Sequence, residues 1–459
     1  MISKALAGVS IGLDVLLAGC SFVPKYERPA APIATAWPGG VAPIAGQTAA
    51  ADIAWQDYFV DARLKRLLHI ALANNRDLRV AALNIERSQA QYRIQRASQY
   101  PSINGVFAGQ RQAASKDVYT LGASITSFEM DFFGRVSSLK DAALAQYLST
   151  DESRKTVQIS LISAVASTYL SMLADDELVA LTRETINTRE QSLKLAQLRF
   201  DNGVTSELDL RQSQGLVESA RASLAQLQRQ RAQDENALVL LLGQSVPTDL
   251  PDGQPFSTQA GLLTDVPAGL PSDLMTKRPD IRAAEQLLLS ANANIGAARA
   301  AFYPRISLTT SLGKVSGDLD NLLGGSTGWS FAPQLVLPLF NAGANQANLD
   351  VAKLSRDIAV AQYEKAIQNA FREVSDALAG RGTLGEQYRA TQAQVDAAQA
   401  TFKLSELRYN NGVSSYLDVL DAQRSLYIAQ SSAIQVRLAQ LQNQVTLYKA
   451  LGGGWVDGR

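Results

Sequence analysis

Three charged residues late in the chain have a spacing that could do work. Asp418, Asp421 and Arg424 fall at i, i+3 and i+6 of a helical pattern, so they share one face. On a single chain such a set makes a solvated intrahelical pair contributing about 0.3–0.5 kcal/mol. Repeated around an axis by several copies, it would make rings of charge that close a pore and attract cations. The residues alone leave both readings open, the pair being the simpler. Asp209 holds the matching place in an earlier copy of the same segment. Little else competes. His69 is the single histidine and has no partner for a metal site, and Cys20 is the single cysteine. That excludes an internal disulfide and a Cys-rich zinc or iron–sulfur centre. The remaining carboxylates scatter over helical patterns without a pocket signature, so no enzyme, cofactor or metal is expected. The 43 basic and 43 acidic side chains give zero net charge, and no Lys/Arg run excuses a nucleic-acid partner.

The elements that would position these residues come in duplicate. Arg199-Phe200-Asp201-Asn202-Gly203-Val204-Thr205-Ser206-Glu207-Leu208-Asp209 returns as Arg408-Tyr409-Asn410-Asn411-Gly412-Val413-Ser414-Ser415-Tyr416-Leu417-Asp418. Upstream, Asp77-Leu78-Arg79 returns as Asp280-Ile281-Arg282, and Tyr100-Pro101-Ser102-Ile103 as Tyr303-Pro304-Arg305-Ile306. The order is the same in both halves, which reads as a tandem duplication. The expected organisation is a signal peptide over 1–19, a Pro- and Gly-rich lipidated tether over 20–60, a first repeat over 61–243, a Pro-rich linker over 244–271, a second repeat over 272–452 and a tail over 453–459. Each repeat predicts a helix (61–98, 272–300), two strands (102–112 and 118–131, 304–314 and 327–339), a very long helix (136–200, 343–409), a tight turn at Gly203 or Gly412, and a second long helix (206–242, 415–451).

The strands alternate apolar and small polar residues. Ile306, Leu308, Thr310 and Leu312 share one face, as do Tyr119, Leu121, Ala123, Ile125 and Ser127, and Trp329, Phe331, Leu335 and Leu337. An exported chain could turn such a face to lipid, with Tyr119, Trp329 and Phe331 as interfacial anchors. Four strands cannot close a barrel, and open edges are forbidden in lipid, so several chains must share one barrel. Three chains would supply twelve strands. Helices of about 65 residues would be rods of roughly 100 Å. From Leu417 a heptad seam runs through Leu420, Arg424, Tyr427, Ser431, Ile434, Leu438, Leu441, Val445 and Tyr448, predicting helix-on-helix packing. Neither long helix reads as apolar enough to cross a bilayer, so both are expected in water.

The N-terminus reads as an address. Lys4, an apolar stretch and Leu17-Ala18-Gly19-Cys20 have the form of a secretory signal ending in a lipobox, with Cys20 the lipidated first residue of the mature chain. Asp14 interrupts the apolar stretch.

These features together resemble the TolC family of outer-membrane efflux channels, in its lipoprotein branch serving RND-type pumps. The matching segments are Phe128-Glu129-Met130-Asp131-Phe132-Phe133-Gly134-Arg135, Lys277-Arg278-Pro279-Asp280-Ile281-Arg282, Pro338-Leu339-Phe340-Asn341-Ala342-Gly343, Tyr416-Leu417-Asp418-Val419-Leu420-Asp421-Ala422-Gln423-Arg424 and Leu447-Tyr448-Lys449-Ala450-Leu451-Gly452-Gly453-Gly454-Trp455. The resemblance implies a mainly α fold with a small β part: a homotrimer with a shared twelve-stranded transmembrane β-barrel and a long α-helical coiled-coil barrel in the periplasm. It implies a passive exit duct in the outer membrane, with a periplasmic membrane-fusion adaptor, an inner-membrane RND-type pump and outer-membrane lipid as partners. It assigns a periplasmic gate to Leu417, Asp421 and Arg424, extended to Asp418 and Asp209. It assigns an adaptor-docking tip to Asn202, Gly203, Val204, Asn411, Gly412 and Val413. The competing reading is a structural or adhesive coiled-coil surface lipoprotein without a pore.

Overall fold

The computed structural model describes residues 21–38, 49–111, 117–256 and 266–456. The signal peptide, Cys20 and parts of the tether, linker and tail lie outside them. The elements are α1 (Trp55–Tyr58), α2 (Ala62–Asn74), α3 (Arg76–Ala97), β1 (Ile103–Gln110), β2 (Val118–Met130), α4 (Arg135–Asp201), α5 (Glu207–Leu242), α6 (Leu274–Lys277), α7 (Pro279–Ala300), β3 (Arg305–Ser316), β4 (Ser326–Val336), α8 (Ala344–Asn410) and α9 (Tyr416–Ala450). Helix, two strands, long helix, turn and second long helix occur twice in that order.

The first helix of each repeat is broken where a single helix was expected. Asn75 is extended, donates from Nδ2 to the Leu241 carbonyl and caps α3 by accepting from the Leu78 amide. Arg278 is extended because Pro279 follows it, and a residue before proline avoids the helical region.

Contacts divide the chain into two compact units. One comprises the described residues within 1–31, 82–153 and 280–366 and holds the sheet; the other comprises those within 32–81, 154–279 and 367–459. The sheet is antiparallel in the order β1-β2-β3-β4, so β1 and β4 are its edges. Register places Ile103, Ile125, Thr310 and Phe331 in one row across the sheet, and Gly105, Ala123, Leu312 and Trp329 in the next. The rows Phe128-Leu308-Pro333 and Met130-Ile306-Leu335 continue the same face. The opposite face carries rows such as Asn104, Ser124, Ser311 and Ser330. Ser127 does not continue the apolar face. A bulge between Ile125 and Phe128 inserts one extra residue, with Ser127 at φ 51° and its amide donating to Thr309 Oγ1. The bulge restores Phe128 and Met130 to the side that strict alternation would have given to Ser127.

In the same unit, residues 21–28 lie along α7. Phe22 stacks on Tyr303 at 4.5 Å, Arg299 donates to the Phe22 carbonyl, Asn292 donates to the Pro24 carbonyl, and Arg28 grips Glu285 with two nitrogens at 2.7 and 2.9 Å. This stretch forms no helix or strand, but it is held along its length. In the other unit Trp55, Tyr58 and Phe59 are buried, and Tyr58 stacks on Tyr448 at 3.8 Å.

Helix α4 needs a correction. It contains a window with mean hydropathy 1.5, long and apolar enough by composition to cross a membrane, contrary to the expectation. Half of that window is buried against the chain itself, where Val165, Ala166 and Leu170 are fully enclosed.

Candidate functional site

The two repeated turns share one backbone design. Gly203 sits at φ 70° and Gly412 at φ 73°, the left-handed conformation that glycine adopts without a Cβ clash. Each glycine amide donates to the carbonyl three residues back, Phe200 or Tyr409, both at 2.9 Å. The following amides of Val204 and Val413 reach back to Arg199 and Arg408. This closes the last turn of α4 and of α8 with the paired bonds of a Schellman motif. Asn202 and Asn411 each donate from Nδ2 to the carbonyl four residues earlier, Leu198 or Leu407. All six residues from Asn202 to Val204 and Asn411 to Val413 are exposed.

Behind the turns the halves pack together. Ala196, Leu210, Tyr416, Val419 and Leu420 form a buried cluster, with Leu193, Phe200, Leu216, Phe402 and Tyr409 against it. Arg199 stands 4.6 Å from the Tyr409 ring centroid, and Tyr409 is 5.0 Å from Tyr416. Nothing in the turn motif marked Tyr416 as core, because its repeat partner Glu207 is exposed. The aromatic spacing from Tyr409 to Tyr416 was the available signal.

Leu417, Asp418, Asp421 and Arg424 are brought together. They line an open recess of about 620 Å³ with Ala398, Thr401 and Ser405 of α8. Arg424 donates from Nη2 to Asp421 Oδ1 one turn away, and both side chains are more than half exposed. Leu417 is 54% exposed. The seam predicted through Leu417 and Arg424 is therefore displaced in this part of α9. Its buried residues are Tyr416, Val419, Leu420, Ala422, Gln423 and Leu426: Leu420 keeps its place, while Tyr416, Val419, Gln423 and Leu426 lie one position before Leu417, Leu420, Arg424 and Tyr427. A helix of 3.6 residues per turn drifts about 20° per heptad, so a pattern that fits Leu441, Val445 and Tyr448 loses phase toward the turn. Arg424 consequently meets solvent and carries no burial cost.

Asp209 has a different occupation. Its Oδ2 accepts from Thr205 Oγ1 at 2.7 Å, from Ser206 Oγ at 2.9 Å and from the Ser206 amide at 3.4 Å, while its own amide donates to Ser206 Oγ; the two amide bonds make a capping box for α5. The Thr205 hydroxyl bond, helped by Ser206, holds its carboxyl below the usual range. Asp209 is not in the wall of the recess that holds Asp421. Ser415 of the second copy makes no such side-chain cap.

Among the described residues no group of His, Cys, Asp and Glu could hold a metal. His69 packs edge-on against Trp55 at 4.8 Å.

Comparison with known proteins places this geometry. The family model for outer membrane efflux proteins matches residues 67–244 and 270–453. The chain is 49% identical over 457 residues to the solvent efflux pump outer membrane protein SrpC of Pseudomonas putida, covering 96% of this chain and 97% of that one. It is 45% identical to the outer membrane protein OprJ of Pseudomonas aeruginosa, covering 99% and 98%. Among solved structures, the open-state outer membrane channel MtrE of Neisseria gonorrhoeae superposes with a TM-score of 0.87 at 39% identity, covering 95% and 99%. A membrane protein from Pseudomonas aeruginosa superposes with a TM-score of 0.88 at 43% identity, covering 96% and 99%.

Proposed function

The chain belongs to the outer membrane efflux protein family, and from that premise we propose that three copies form one exit duct through the outer membrane. The observation that carries this reading is the sheet. Its apolar face is exposed on all four strands, with Ile103, Phe107, Leu121, Leu312, Trp329, Phe331 and Leu335 all open. A soluble sandwich would cover that face, and a coiled-coil surface lipoprotein would have no use for it. Two uncovered edges, β1 and β4, need partners wherever water is absent. Edge-to-edge pairing of three sheets satisfies both edges and turns the Ser- and Thr-rich face inward to a wet lumen.

The duct is passive. An inner-membrane RND-type pump supplies the energy, and a periplasmic membrane-fusion adaptor docks at the exposed tip from Asn202 to Val204 and Asn411 to Val413. The cargo is small and toxic, of the solvent or antibiotic class that the relatives' names mention. The chain carries out no catalysis. Cys20 is acylated after removal of residues 1–19, which adds a lipid anchor to the barrel. The halves 61–243 and 272–452 derive from one duplicated unit, with 20–60 as the N-terminal segment and 244–271 as the join.

Leu417, Asp418, Asp421 and Arg424 form the gate. Within one chain Arg424 pairs with Asp421 on a solvated face. Threefold repetition sets three such pairs around an axis, where each guanidinium can exchange its own carboxylate for a neighbour's. Asp209 contributes by shaping the first turn.

Planar-bilayer recording tests this reading. The protein is expected to form discrete channels of low conductance, and Asp421→Ala with Arg424→Ala to raise that conductance. Absence of channels from a folded preparation would refute the duct. Channels unaffected by the double substitution would remove these residues from the gate.

A further inference from the structure

The polar face of the sheet is nearly free of charge, and the exception sits at its foot. The four described strands carry three charged side chains, Glu129, Arg305 and Lys314. Lys314 lies in the row of Leu121 and Thr327 on the apolar face, and its Nζ donates to the Gly325 carbonyl. Glu129 pairs with Ser307 and Gln334 on the opposite face, and Arg305, two residues before Ser307, shares that face. Farther along the strands the same face is neutral. Asn104, Ser124, Ser311 and Ser330 form one row, and Val106, Gly122, Gly313 and Gly328 the next.

The foot is tightly tied. Arg135, the first residue of α4, grips Glu129 with Nε and Nη2 at 2.7 and 2.6 Å. Arg305 Nε stands 2.6 Å from Oε2 of the same carboxylate. Asp131 is occupied elsewhere: its two oxygens accept from the Val136 and Ser137 amides and offset the dipole at the start of α4. Two guanidiniums therefore share one carboxylate. Glu129, Asp131, Arg135 and Arg305 sum to zero charge, but they are not equally presented. The Glu129 side chain is 11% exposed and Arg135 33%, whereas Arg305 is 59% exposed. A solute moving over this face meets a cation. An open recess of about 360 Å³ between Arg135, Arg305 and Tyr303 gives it room to approach.

We propose that Arg305 and its copies in the neighbouring chains form a collar at the foot of the barrel lumen that favours anionic solutes over cationic ones. This rests on the reading that three chains share one barrel with the polar face inward. Arg305 determines the preference, because it is the charge that solutes meet. Glu129 and Arg135 are positioning residues: Arg135 fixes Glu129, and Glu129 holds Arg305 against the wall. In a water-filled pore whose wall is otherwise neutral, one ring of like charge sets the local ion ratio within a Debye length, about 10 Å at 0.1 M salt.

The ratio of chloride to potassium permeability tests the collar. It is read from the reversal potential of the full-length protein in a planar bilayer under a KCl gradient. The Asp421→Ala, Arg424→Ala background is used, so that those two charges do not contribute. Arg305→Gln is expected to lower the ratio several-fold, and Glu129→Gln to raise it, both at unchanged oligomer mass. Each shift should shrink at 1 M salt, where the Debye length falls to about 3 Å. Arg305→Cys, labelled after assembly, separates charge from folding. A trimethylammonium-ethyl methanethiosulfonate label is expected to raise the ratio above that of the unlabelled variant, and a sulfonatoethyl label to lower it. The collar is overturned if Arg305→Gln leaves the ratio unchanged in channels of normal mass, or if the two labels move it alike. An unchanged ratio in Glu129→Gln would overturn the positioning role of that residue. If the folded wild-type chain forms no channel, the shared barrel falls and the collar with it.

Discussion

The turn at Gly203 and the turn at Gly412 have nearly the same sequence and backbone, yet their neighbours do different things. In the first, Ser206 and Asp209 close a capping box, and Glu207 points to water. In the second, Ser415 makes no side-chain cap, Tyr416 takes the place of Glu207 and is buried, and Asp418 is left exposed beside Leu417 and Asp421. Both turns keep what the backbone needs, a glycine at positive φ and an asparagine before it. They differ in their side chains. In one turn the carboxylate of Asp209 closes the cap; in the other an aromatic ring anchors the helix, Asp418 is exposed and Asp421 pairs with Arg424.

Substitutions at matched positions sharpen or break that contrast. The largest expected effect is at Tyr416: Tyr416→Ala should destabilise the tip by about 3–5 kcal/mol through the cavity it leaves, while Glu207→Ala should stay within about 0.5 kcal/mol. Hydrogen exchange of the turn amides in the two variants measures this, and equal effects would dissolve the contrast. Next come the glycines. A Cβ at either would meet nothing within 4 Å, so Gly203→Ala and Gly412→Ala should each cost only the left-handed strain, about 1–2 kcal/mol, and cost the same. Unequal losses by the same readout would show that the turns differ in backbone as well as side chains.

Ser206→Ala should cost about 1 kcal/mol by loss of the cap, whereas Ser415→Ala should be close to neutral. Limited proteolysis at each turn reads the difference. The smallest effect concerns pH. Because the Asp209 carboxyl is held below its ordinary value in the folded chain, its contribution is present above the unfolded pKa of about 4 and is lost as pH falls through the lower folded value. Acidification into that range should loosen the first turn, and Asp209→Asn should remove the dependence. A first turn whose exchange rates show no such difference between wild type and variant would contradict the cap's electrostatic role.

Much of this was legible in the residues. The repeated element order follows from glycine and proline punctuation and from the switch between two-residue and helical periods. The apolar face of the sheet followed from alternation as far as Ile125, and then failed at Ser127. A bulge is a property of paired strands, set here by Ser127 and Thr309 together. The seam on α9 failed near Leu417 for a similar reason: which face is buried depends on Tyr416 meeting Leu210 and Val419 behind the turns. The grip of residues 21–28 on α7 joins segments more than 250 positions apart, such as Arg28 and Glu285, and no local pattern announces it.

The central claim is that four strands per chain are too few and that copies complete the barrel. The molar mass of the detergent-extracted mature protein, by light scattering with the detergent subtracted, tests it most directly. A mass of three chains is the result this account predicts. A folded monomer would leave β1 and β4 unpaired in lipid and contradict it.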